Sequence, residues 1–341
     1  MSDTAINSRE IVLDHGSGAA LSHELISLIV ETLGDVYIGE MEDSAMLPIV
    51  GEQIAMTTDS FVVDPPFFGN GDIGKIAVCG TVNDLAVVGA KPTYLTLGMI
   101  LETGLPIEKL VRVLTSIRET AKEAGVLIVC GDTKVVRKGE ADQIYLNTAG
   151  VGTFQRRPLR MRDVRPGDRV ILSGPIGNHT VHLLSIREGL GFETRVLSDC
   201  APLNGMLDQL FTRVADGAVH SVRDVTRGGL SAVLHEYASS AGRTIRVEEA
   251  ALPIQAETAM AMDMLGTNPI HAANEGCVAL FVAPEAEEEV LAALRSHAYG
   301  SGAVAIGEVT EETDGLVVMR GTDGRTTTLD ELQGAELPRL C

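Results

Sequence analysis

Acidic side chains stand at the ends of apolar stretches in several parts of this chain. Asp59 follows the strand-like run IAMTT (residues 54–58), Asp72 closes a glycine-rich segment before a helical pattern, and Asp132 follows LIVCG (residues 127–131). Asp84 lies in a helical pattern beside the apolar LAVV (residues 85–88), and a carboxylate near such a face needs a cation or metal partner. Together these carboxylates suit a hard divalent cation that meets phosphate oxygens, which points to magnesium. Three of the four have a plainer use as well: Asp59 and Asp132 as Asx-turns, Asp72 as a helix cap.

Gly69, Gly71 and Gly74 leave the backbone open where that helix begins, so its first N–H groups could meet an anion. No GxxxxGK[ST] is present and no GxGxxG is followed by an acidic ribose ligand, which disfavours Walker-type and Rossmann sites. Lys134, in GDTK (residues 131–134), and Glu275, in NEG (residues 274–276), are candidates for acid or base work, although such residues are more often solvated surface charges. RDVTRGG (residues 223–229) places two cations and Asp224 at a strand-to-helix turn, suited to phosphate contact or to a structural Asp224–Arg227 ion pair. Cys341 is the last residue. Its adjacent terminal carboxylate disfavours the thiolate, so the thiol suits a carried group better than a nucleophile; the plain alternative is an incidental cysteine at a frayed end.

The elements that must position these residues fall into two halves. A chain of 341 residues exceeds the size at which single cores stop growing, so two domains are expected. The composition, 45% hydrophobic and 22% charged, is globular, and the absence of Trp leaves a core of aliphatic residues and Met. The net charge of -20 repels nucleic acid and anionic membrane surfaces, and no apolar run is long enough to span a bilayer. A cytoplasmic protein is expected, with neither a nucleic-acid nor a membrane partner. The cysteines 79, 130, 200, 277 and 341 show no paired spacing, and the first four are expected to be inert.

Periodicity predicts strands over residues 53–63, 94–101, 126–130 and 143–154, with helices over 72–88 and 106–124. The basic, proline-containing residues 155–167 read as a linker. Beyond it, strands over 168–173, 244–248, 276–282, 303–309 and 316–320 alternate with helices over 179–188, 228–240, 257–265 and 285–296. The fold class is therefore α/β or α+β: an N-terminal segment over 1–40, domains over 41–154 and 168–325, and a mobile tail over 326–341. Seven residues beyond Gly334 reach about 25 Å when extended, enough to carry Cys341 from a domain surface into a cleft.

Read in order, HGSG (15–18), TDSFVVDP (58–65), GDIGKIAVCGTVNDL (71–85), GDTKVV (131–136), RDVTRGG (223–229), ANEG (273–276) and PRLC (338–341) resemble the HypE family of hydrogenase maturation factors. That family belongs to the ATP-binding superfamily of aminoimidazole ribonucleotide synthetase and selenophosphate synthetase. The resemblance implies a ferredoxin-like N-terminal domain that dimerises through its sheet, a C-terminal α/β domain, and ATP with magnesium in the cleft between them. It assigns Gly71, Asp72, Lys75, Asn83, Asp132 and Arg227 to the nucleotide, and Asp59, Asp72, Asp84, Asp132 and Asp224 to the metal. It implies that HypF places a carbamoyl group on Cys341, that ATP-dependent dehydration turns it into a thiocyanate, and that HypC and HypD take the cyanide for the iron of nickel-iron hydrogenase. Lys134 and Glu275 match the positions facing the terminal thiol derivative and become the candidates for proton removal.

The chain departs from the family pattern at Gly18-Ala-Ala20, at Arg339-Leu-Cys341, and at Asn178-His179-Thr180, where His179 is given no role. A selenophosphate synthetase would carry its reactive cysteine near the N-terminus, but residues 1–78 contain none. An aminoimidazole ribonucleotide synthetase has no use for a terminal thiol. The alternative from another class is an ATP-switched scaffold whose Cys341 binds metal or a partner.

Overall fold

The computed structural model describes residues 10–17, 20–38, 45, 47–48 and 51–331; Cys341 and the rest of residues 332–341 lie outside the described residues. The described residues divide into two compact units, those within 10–85 with 91–154 and those within 86–90 with 155–331.

The first unit contains α1 (Ala20–Leu33), β1 (Ile54–Phe61), α2 (Ile73–Val87), β2 (Ala90–Glu102), α3 (Ile107–Ala124), β3 (Leu127–Val136) and β4 (Ile144–Phe154). Its four strands form one sheet in the order β1-β4-β2-β3, with β1 antiparallel to β4 and β2 parallel to β3. A parallel neighbour requires a crossover, and α3 supplies it. Leu110, Val113, Leu114, Ile117 and Ala121 recur at helical spacing and are buried. Gly125 ends α3 in the left-handed conformation at φ 69°, where glycine carries no steric penalty. Nearly every residue of α2 is buried, including the polar Thr81 and Asn83. Its approach to α3 is close enough that a Cβ on Gly74 would lie 2.5 Å from the Val113 carbonyl oxygen.

Strand β3 departs from expectation. Periodicity ended it at Cys130, but pairing with β2 runs on to Glu102↔Val136, past a bulge at Leu95/Thr96. Asp132 and Lys134 therefore belong to a strand, not to a turn. The backbone partner offered by β2 outweighs the polar composition of GDTK.

The second unit contains β5 (Arg169–Leu172), α4 (Asn178–Glu188), α5 (Asn204–Arg213), β6 (Val219–Asp224), α6 (Gly229–Ala241), β7 (Ile245–Glu248), α7 (Ala256–Leu265), β8 (Val278–Val282), α8 (Glu287–Arg295), β9 (Val304–Val309), β10 (Val317–Arg320) and β11 (Thr326–Thr328). The strands form a mixed sheet in the order β11-β10-β7-β9-β5-β8-β6. Strand β8 is buried along its whole length: Val278, Leu280 and Val282 enter one core, Ala279 and Phe281 the core on the opposite face. That two-sided burial explains its unbroken apolar sequence. Residues 155–167 fold with this unit, and β11 pairs antiparallel with β10, so the chain is still in the sheet at Thr328. Among the described residues no helix is long and apolar enough to cross a membrane.

Candidate active site

In the first unit, β1 and α2 carry three of the expected metal residues. Alternation along β1 turns Thr57 and Asp59 toward α2. Thr57 Oγ1 donates to Asp84 Oδ2 at 2.8 Å, and one turn earlier Gly80 leaves room for Asp59, whose Oδ2 would be 3.4 Å from a Cβ there. Asp72 caps the same helix: its Oδ1 accepts the N–H groups of Gly74 at 2.8 Å and Lys75 at 3.0 Å. The Ile73 N–H donates to the Pro66 carbonyl and the Ile76 N–H to that of Asp72. The first-turn N–H groups are thus satisfied within the chain, which corrects the expectation that they face an anion. Gly71 is needed for packing, because a Cβ there would overlap the Phe68 ring. Burial pushes the Asp72 carboxyl above its ordinary range, against the opposing pull of the Lys75 N–H, Ser116, the Gly74 N–H and Arg112.

Strand alternation puts Asp132 and Lys134 on one face of β3. Lys134 Nζ donates to both carboxylate oxygens of Asp132, at 2.6 and 2.8 Å, and this ammonium holds the Asp132 carboxyl below its usual range. Both side chains are about two-thirds exposed, at 67% and 69%, so the pair contributes little to stability. It borders a cavity of about 420 Å³ between α1 and the sheet, with Leu25, Ile29 and Met99 on its apolar wall and His15, Cys130 and Lys134 at its polar end. Cys130 is only partly buried there, unlike Cys79, Cys200 and Cys277; burial pushes the Cys277 thiol up to about 12.

In the second unit, Asp224 ends β6 and leads through Arg227 into α6. Burial pushes its carboxyl up, with Arg223, Thr226 and Arg227 pulling the other way. Arg223 pairs with Glu236 at 3.2 Å. Arg227 is exposed and makes no ion pair with Asp224 among the described residues. Glu275, expected on the surface unless a site recruited it, is only 5% exposed. Its N–H donates to Asp199 Oδ1 at 3.0 Å, and the neighbouring Asn274 side chain accepts the Gly177 N–H and donates to the carbonyls of Val225 and Ala272. Sequence reasoning missed Asp199 and Asn274, whose partners are distant in the chain. His179 is fully buried with its Nδ1 2.8 Å from Ser198 Oγ, and burial lowers its pKa to about 3, so it stays neutral.

Within the first unit, Asp72, Asp84 and Asp132 do not form one cluster. Asp72 and Asp84 bracket α2 and are about 18 Å apart by helical rise, while Asp132 is held by Lys134 and Asp224 belongs to the other unit. Among the described residues, no three His, Cys, Asp or Glu side chains are grouped so as to hold a metal ion. As donors, the hard carboxylate oxygens fit magnesium, and a neighbouring cation would offset the burial that raises the Asp72 and Asp224 carboxyls.

Residues 41–154 match the family described as AIR synthase related protein, N-terminal domain, and residues 165–319 match its C-terminal domain. Carbamoyl dehydratase HypE of Escherichia coli (strain K12) is 43% identical over 338 residues, covering 97% of this chain and 99% of that protein. The crystal structure of a hydrogenase maturation protein HypE in complex with ATP superposes with a TM-score of 0.91 at 40% identity, covering 97% of this chain and 99% of the other. HypE in a HypE–HypF complex superposes with a TM-score of 0.78 at 44% identity, covering 82% of this chain and 90% of the other. With about 40% identity over nearly the full length of these relatives and both AIR synthase related domains matched, the chain belongs to the HypE family of AIR synthase related proteins.

Proposed function

We propose that this chain is an ATP-dependent carbamoyl dehydratase that converts an S-carbamoyl group on its own Cys341 to S-cyanocysteine. The observation that carries the reading is 43% identity with a carbamoyl dehydratase over 97% of this chain, together with Cys341 in the closing PRLC. The ATP complex of a relative supports the nucleotide.

An amide oxygen leaves poorly as hydroxide. Phosphorylation by ATP turns the S-carbamoyl group into an S-bound imidate phosphate and ADP, with loss of one N–H proton. Elimination then forms the C≡N bond as the second N–H proton and inorganic phosphate depart. Glu275, an acceptor held in a buried segment, suits those proton removals. Lys134 and Asp132 border the first unit's cavity, and the Lys134 ammonium can balance charge that develops on the transferring phosphoryl group. On this reading Gly71, Asp72, Lys75, Asn83, Asp132 and Arg227 are the candidates to contact the nucleotide. Asp59, Asp72, Asp84, Asp132 and Asp224 are the candidates to hold magnesium; no three of them are grouped among the described residues, so those that meet the nucleotide phosphates would hold it, and it would supply charge neutralisation there when bound.

A complex of a relative with HypF supports HypF as the carbamoyl donor protein. HypC and HypD as cyanide acceptors, delivery to nickel-iron hydrogenase, and a cytoplasmic setting go with the same reading. A homodimer is supported by the outer face of β1, where Ile54 and Met56 are 44% and 71% exposed, an apolar surface of the kind that a second copy covers.

The test is the intact mass of the C-terminal peptide after incubation with HypF, carbamoyl phosphate and ATP, beside Cys341→Ala. A carbamoyl adduct that loses the mass of water only with ATP is the expected result. An adduct that never dehydrates would shift the assignment to the ATP-switched scaffold.

A further inference from the structure

Glu275 lies in a segment with unusually complete tethering. On one side, the Asn274 N–H and side-chain amide both donate to the Val225 carbonyl at 3.0 Å, and the Val225 N–H returns a bond to the Cys277 carbonyl at 2.9 Å. On the other side, Asp199 Oδ1 accepts the Glu275 N–H at 3.0 Å, and the Ala201 N–H reaches the Glu275 carbonyl at 3.4 Å. Gly276 allows this approach, because a Cβ there would overlap the Asp199 carbonyl. The first side ties residues 274–277 to the turn that follows Asp224. The second joins one side-chain acceptor, Asp199 Oδ1 at 3.0 Å, to the longer backbone bond from Ala201 at 3.4 Å.

We infer that Asp199 is a positioning residue, which fixes the backbone of Glu275 and thereby aims its carboxylate. The inference rests on the reading of Glu275 as the proton acceptor. Without the Asp199 acceptor the second side keeps the longer Ala201 bond, and the Glu275 carboxylate gains room to swing about the Asn274 tether. A displacement near 1 Å at a proton acceptor is enough to cost about 100-fold in rate. Asn at position 199 keeps an oxygen acceptor at the same reach, whereas Ala leaves the Glu275 N–H without it.

The experiment compares the full chain with Asp199→Ala, Asp199→Asn, Glu275→Gln and the Asp199→Ala/Glu275→Gln double variant. Dehydration of the carbamoylated C-terminus is followed by mass, and the Glu275 amide by hydrogen exchange in protein labelled with 15N-glutamate. The expected results for Asp199→Ala are faster exchange at that amide, kcat lower by about 10- to 100-fold and an unchanged KM for ATP. Asp199→Asn restores most of both, and Asp199→Ala adds no further loss in the Glu275→Gln background. If Glu275→Gln stays fully active while the amide still loses protection in Asp199→Ala, the role of Glu275 fails but the hold of Asp199 on its backbone stands. Unchanged exchange at Glu275, or an equal kcat loss in the Ala and Asn variants, overturns the inference. Should Asp199→Ala not fold, Asp199→Ser, whose shorter side chain withdraws the acceptor from the Glu275 N–H while keeping a polar group in place, is expected to give the same pattern.

Discussion

Gly74 and Gly205 occupy the same position, the second residue of a helix, and a methyl group on each should have opposite effects. At Gly74 the added Cβ would be 2.5 Å from the Val113 carbonyl oxygen, 3.0 Å from Ile117 Cγ1 and 3.1 Å from Asp72 Oδ1. At Gly205 its nearest neighbour would be His297 Nε2 at 3.9 Å. Neither glycine has a positive φ, so alanine strains neither backbone. In both cases alanine reduces the freedom of the unfolded chain, which stabilises by about 0.4–1 kcal/mol. At Gly74 the obstacle is a helix backbone, so α2 and α3 must separate by about half an ångström or more, and overpacking of this kind costs about 1–3 kcal/mol. Gly205→Ala should therefore gain slightly, while Gly74→Ala loses about 1–2 kcal/mol net. Urea denaturation followed by circular dichroism measures both. Since the shift also moves the Asp72 cap, nucleotide affinity should fall in Gly74→Ala alone. A gain in stability for Gly74→Ala equal to that of Gly205→Ala would refute the close α2–α3 approach and the positioning of Asp72 argued from it.

Asp72→Ala removes the acceptor for two N–H groups and should cost about 1 kcal/mol, whereas Asp72→Asn keeps the cap; loss of magnesium-dependent ATP binding in both, measured by calorimetry, separates the metal role from the capping role. His179 falls from its ordinary 6.5 to about 3 in the folded chain, so the unfolded state binds the extra proton and stability drains as pH falls from about 6.5 toward 3. His179→Gln lacks that term, and its loss of melting temperature between neutral and acid pH should be smaller than wild type's; an equal loss would show that another group carries the acid sensitivity. Met56→Glu puts a charge on the outer face of β1 and should shift sedimentation from dimer to monomer with little change in monomer stability, and a dimer that persists would move the interface elsewhere.

Much of the fold was legible because local pattern and burial agree. The spacing of Leu110, Val113, Leu114 and Ile117 could only be an amphipathic helix, and CVALFV before a proline-containing turn reads as a strand covered on both faces. Helices α1 and α5, the extent of strand β6 and strand β11 were not read from the sequence: α5 buries only Met206, Leu207, Leu210 and Phe211, a stripe that means little until α8 packs against it.

The order of motifs fixed the family, and residue type alone marked Asp72, Asp132, Lys134, Asp224 and Glu275 as candidates. What those side chains touch was decided by the tertiary structure. Pairing with β2 kept GDTK in a strand and so put Asp132 beside Lys134, and the approach of α3 shaped the start of α2 around the Asp72 cap. Glu275 could not be told from a surface acid until the fold buried it and brought Asp199, 76 residues earlier, to its N–H. Hydrophobic periodicity is a local property that survives in the sequence, but a contact between distant segments depends on how the sheet and its covering helices close, and no local spacing records that.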